Sequence, residues 1–89
     1  MGLDFYAAAD RTRGQPLYSL PERRLDALGP ALATFEARTG VCVDPYGTTR
    51  LAPTQLRLLA TLVEQGDLEL AAFLEATAAA GKGLVAEGD

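Results

Sequence analysis

The chain has 89 residues, 48% of them apolar and 22% charged, with a net charge of −4 and no histidine. That length fits a single domain, 1–89, and the composition is that of a folded globular protein rather than a disordered one. It holds no apolar run near the ~20 residues a membrane-spanning helix needs, and the lack of His removes the commonest general base, metal ligand and nucleophile partner.

The charge is unevenly placed. Residues 1–57 carry seven arginines against six acids, for a net +1, whereas residues 58–89 carry only Lys82 against six acids, for a net −5. An acidic C-terminal third disfavours nucleic acid and favours a basic protein partner; the plainer reading is a solvated helix face. Met1-Gly2-Leu3-Asp4-Phe5 carries an acid where a secretory signal carries bases. Tyr6 stands where a myristoylation motif needs Ser or Thr. The single Cys42 leaves no intramolecular disulfide and no cysteine-rich metal site. The expectation is a cytoplasmic protein.

In chain order, Leu3-Asp4-Phe5-Tyr6-Ala7-Ala8 puts Leu3, Phe5 and Ala7 on one side and predicts a short strand. Residues 10–16, with Gly14 and Pro16, predict a loop. Ser19-Leu20-Pro21-Glu22 has the form of a capping box opening a helix, with Ser19 as cap and Pro21 in the first turn. Leu25, Leu28, Leu32 and Phe35 recur at helical spacing across Gly29-Pro30. Pro30 either kinks one helix or splits it with Gly29 closing the first half, and the unbroken stripe favours the kink. Thr39-Gly40 ends it.

Val41-Cys42-Val43 predicts a short strand, with Cys42 a small buried hydrophobe. Asp44-Pro45-Tyr46-Gly47 has turn chemistry at each position, and Thr48–Leu51 then returns as the second arm of a hairpin. Ala52-Pro53-Thr54-Gln55 opens a helix, Leu51 and Leu56 occupy staple positions, and Leu56, Leu59, Ala60 and Val63 form its apolar face. Gly66 closes that helix, and Asp67 caps another in which Leu70, Phe73, Leu74 and Thr77 share a face. Gly83-Leu84-Val85-Ala86-Glu87 predicts a final strand. The order β-α-β-β-α-α-β points to an α+β fold, a small antiparallel sheet with about three helices packed on one face, helix-rich overall.

Little in this inventory supports catalysis. Ser19 is the only serine and Lys82 the only lysine, and Gly81-Lys82-Gly83 lacks the rest of a phosphate loop. Asp4, Asp10 and Asp44 are not paired by spacing, and no clustered acidic loop is present for an oxygen-ligated metal. We therefore expect no catalytic residues, no metal, no cofactor and no enzyme activity. Arg11, Arg13, Arg23, Arg24 and Arg38 are interleaved with acids, so neither nucleic acid nor a membrane is an expected partner. Protein binding remains. Tyr46 at the turn tip, with Arg50 beyond it, has the aromatic-plus-Arg composition of interface hot spots. Asp44, Tyr46, Arg50, Glu69 and Glu75 are the candidate partner-binding residues. The competing reading is that Tyr46 packs back on the sheet edge while Asp44 only holds the turn.

Val43-Asp44-Pro45-Tyr46-Gly47-Thr48-Thr49, followed by Gln55 and a Leu-rich helix, resembles a pattern in small uncharacterised bacterial proteins with a D-P-Y-G turn, some of them immunity-protein-like. Leu84-Val85-Ala86-Glu87-Gly88-Asp89 is similar to their closing strand, and the resemblance covers residues 41–89. Thr48 replaces the acid often found after the turn glycine. The resemblance implies a non-catalytic partner protein. Together with the acidic C-terminal helix region and the Asp44–Arg50 turn, the expectation is a small bacterial interaction protein, an immunity or antitoxin-like inhibitor that occludes a basic partner such as a toxin. A self-associating homo-oligomeric module and a small-ligand-binding domain are the alternatives.

Overall fold

A computed structural model describes residues 2–9 and 14–88. Residues 10–13 of the expected loop, including Asp10, Arg11 and Arg13, lie outside the described residues. Among the described residues the elements are β1 (Leu3–Ala7), β2 (Tyr18–Leu20), α1 (Glu22–Ala27), α2 (Gly29–Thr39), β3 (Thr48–Leu51), α3 (Pro53–Val63), α4 (Leu68–Ala79) and β4 (Leu84–Gly88). The sheet order is β2-β1-β4-β3, and every pairing is antiparallel. The protein is thus a small α+β domain. No helix among the described residues is long and apolar enough to cross a membrane.

Strand alternation sorts the sheet into two faces. The register sets Phe5 beside Ala86 and Tyr18, and Leu51 beside Leu84. These residues, with Leu3 and Leu20, meet Leu25, Phe35, Leu56, Leu59 and Leu74 of the helices in one core. The other face carries Asp4, Tyr6, Ser19, Thr48, Arg50 and Glu87 around Val85. That valine is fully buried although it points away from the helices, because Tyr6 and Arg50 sit directly beside it.

Three local expectations are corrected. Ser19 caps no helix: it pairs with Asp4 in β2, and α1 starts after an extended Pro21 that makes no side-chain cap bond. Pairing wins because it sends Leu20 into the core and sets Tyr18 on Phe73, with ring centroids 4.9 Å apart. Burying such side chains is worth about 1.5–3 kcal/mol each, against about 1 kcal/mol for a cap. Secondly, the first helical region is split rather than kinked. Leu28 (φ −94°, ψ 5°) separates α1 from α2, and Gly29-Pro30 opens α2 instead of closing α1. The apolar stripe crosses the break intact, since Leu25, Leu28 and Phe35 are all buried.

Thirdly, residues 41–43 form no strand and no hairpin with β3. Val43 is buried while Cys42 is exposed, so the cysteine is not a core residue. The Thr49 hydroxyl accepts from the Asp44 amide (3.3 Å) and donates to the Cys42 carbonyl (3.3 Å), replacing ladder bonds with a side-chain bridge. β3 pairs instead with β4, which lies inside the sheet between β1 and β3.

The later helices follow expectation. Pro53 is the first residue of α3, the Ala52 amide donates to Gln55 Oε1 (2.8 Å), and Leu51 and Leu56 are both buried. Asp67 Oδ1 accepts from the Leu70 amide (3.0 Å) at the start of α4.

Candidate partner-binding surfaces

The turn forms as its residues dictate. The Tyr46 amide donates to Asp44 Oδ1 (2.8 Å) and the Gly47 amide to the Asp44 carbonyl (3.3 Å). Its position is fixed from the sheet: the Gly88 amide donates to the Gly47 carbonyl (2.8 Å), and Gly88 leaves no room for a Cβ beneath the Pro45 carbonyl. Tyr46 is held outward and is 70% exposed, so it does not pack back on the sheet edge. With Pro45 it walls a cleft of about 230 Å³ whose other lining residues are Glu22, Leu25, Asp26, Gly29 and Leu32.

A second depression lies between α3 and α4. Ala60, Ala71 and Ala72 leave a groove of about 310 Å³, bounded by Thr61, Glu64, Leu68 and Glu75. Leu68, the first residue of α4, is 71% exposed at its mouth. Arg57 Nε stands 3.8 Å from Glu75 Oε1 with both side chains more than half exposed, a pair that water and salt screen. Glu64 forms no ion pair among the described residues, so the rim keeps negative charge.

The remaining acids of this region are tied into the structure. Arg24 of α1 grips Asp67 through two nitrogens and reaches Glu69 Oε2 at 3.5 Å. The Arg24 bond, supported by the Leu70 amide, holds the Asp67 carboxyl below its ordinary range even though burial pushes the other way.

The five residues singled out from the sequence therefore divide. Asp44 and Tyr46 share the turn; Glu75 rims the α3–α4 groove; Glu69 turns toward Arg24; Arg50 points from β3 to the sheet face opposite the helices. Sequence reasoning missed Glu22, Asp26, Glu64 and Leu68. The i, i+4 spacing of Glu22 and Asp26 signals a shared helix face, whereas nothing local tells that the turn lands beside it.

The Cys42 thiol is exposed, and the neighbouring Glu36 carboxylate, with Asp44 further off, pushes its pKa above the ordinary value. Among the described residues no group of three His, Cys, Asp or Glu is placed to hold a metal ion. Neither the protein-family models nor the curated proteins include a match to this chain.

Proposed function

We propose that this is a non-catalytic, cytoplasmic bacterial interaction protein that binds a basic partner protein, in the manner of an immunity or antitoxin-like inhibitor. The observation that carries the reading is the α3–α4 groove: an alanine-floored channel with Leu68 exposed at its mouth and Glu64 and Glu75 on its rim. Its occupant is an amphipathic segment whose apolar side chains cover Leu68 and the alanines while its Lys or Arg residues meet the two glutamates. The net −5 of residues 58–89 adds long-range attraction for such a partner and speeds encounter. Inhibition follows by occlusion, the partner's cationic site being covered.

The test is affinity purification from the native host at moderate salt with the wild-type chain and with a Glu64→Lys/Leu68→Ser variant. The reading expects one basic protein to co-elute with the wild type, to be lost with the variant, and to have its activity suppressed by the wild-type chain. Recovery of the bait alone, or of an acidic protein, overturns it. Light scattering at rising concentration separates the self-association alternative, which a strict monomer excludes.

A further inference from the structure

The Tyr46 cleft has a chemistry distinct from that of the groove. We propose that it receives a single arginine side chain, supplied by the same basic partner; the inference rests on that reading for the source of the arginine. At about 230 Å³ the cleft falls below the ~300–1,000 Å³ of sites that enclose a drug-sized ligand, and suits one long side chain.

Its walls match the parts of an arginine in turn. Leu25 and Leu32 supply an apolar base for the methylenes. Tyr46, with 70% of its surface exposed and its backbone pinned by Asp44, offers an aromatic ring on which a planar guanidinium stacks. Glu22 and Asp26, one helical turn apart on α1, line the same wall, and Asp26 supplies the carboxylate. Among the described residues no Lys or Arg lines the cleft and Asp26 forms no ion pair, so the Asp26 carboxylate is the charge that an incoming guanidinium meets. Arginine fits better than lysine because its flat fork stacks on a ring and engages a carboxylate at once.

The experiment titrates the full chain, uniformly 15N-labelled, with the peptide acetyl-Gly-Arg-Gly-amide and with its neutral isostere carrying citrulline in place of arginine. The expected result is saturable shifts at the Asp26, Gly29 and Tyr46 amides with the arginine peptide and none with citrulline. Asp26→Asn and Tyr46→Ala, both surface changes, should each weaken binding by about three- to five-fold while the rest of the spectrum is kept. Equal shifts with citrulline, shifts confined to residues 60–75, or an unaltered affinity in both variants overturn the proposal. Because the peptide needs no native partner and Glu64→Lys should leave this titration unchanged, failure of the cleft and failure of the groove are read separately.

Discussion

Arg24 and Asp67, 43 positions apart, meet as a two-pronged pair: Nε to Oδ2 and Nη2 to Oδ1, each at 2.8 Å. The same guanidinium takes the Tyr18 hydroxyl as a further acceptor, and the same carboxylate caps α4 through the Leu70 amide. One ion pair thereby joins β2, α1 and α4. Asp67→Ala removes a helix cap and strands Arg24, and should cost about 2–3 kcal/mol in urea denaturation. Asp67→Asn retains a cap acceptor and should cost about half as much, since only the charge-assisted part is lost. Equal costs for the two variants would show that the charge contributes nothing.

The pair also sets an acid limit. Asp67 titrates below its ordinary value of 3.8, because Arg24 first and the Leu70 amide next favour its ionised form. The unfolded chain then binds the proton more readily, so this stabilisation is complete above the unfolded value and disappears as pH falls through the folded one. Stability should therefore fall as pH drops below about 4, and fall less steeply in Arg24→Ala, which starts lower at pH 7. Urea titrations at pH 7, 4 and 3 measure this. Parallel slopes in the two proteins would remove Arg24 as the cause.

The parts of this fold that were legible in the sequence are those decided locally. Pro53 and Gln55, Asp67, and the Asp44–Gly47 turn each act through neighbours within a few residues, and each forms as its chemistry dictates. Where a distant partner competed, local signs misled. Ser19 has the spacing of a cap, but Asp4 and Phe73 recruit its segment into the sheet. Val41-Cys42-Val43 has strand composition, yet β3 finds β4 instead, from the far end of the chain. The candidate surfaces follow the same division. The turn was visible, whereas its meeting with Glu22 and Asp26, and the joining of α3 and α4 around Leu68, are made by tertiary packing.

Cys42 offers a chemical check on residues 36–44. The thiol is exposed, and its pKa is pushed above the ordinary value chiefly by Glu36. Its reaction with a disulfide reagent at pH 7 should be slower than that of an unstructured cysteine peptide, since thiolate is the reacting form. Glu36→Gln should speed the reaction severalfold and move its pH profile toward the ordinary thiol range. If the rate and profile are unchanged, Glu36 does not control the thiol.

The turn that presents Tyr46 depends on a residue at the other end of the chain. Gly88 lies under the Pro45 carbonyl, with no space for a side chain, and its amide binds the Gly47 carbonyl at 2.8 Å. Any Cβ there meets backbone rather than a flexible side chain, so the turn itself must lift. Gly88→Ala should cost about 1–3 kcal/mol, in the range of overpacking substitutions, and should shift the Tyr46 and Gly47 amides while sparing those of α4. Gly14→Ala is the control, since a Cβ at Gly14 meets nothing within 4 Å. The arginine-peptide titration then links fold to function: a lifted turn carries Tyr46 off the cleft, so Gly88→Ala should weaken binding about as much as Tyr46→Ala. A variant with displaced turn amides and undiminished peptide affinity would show that Tyr46 is not the wall that binds.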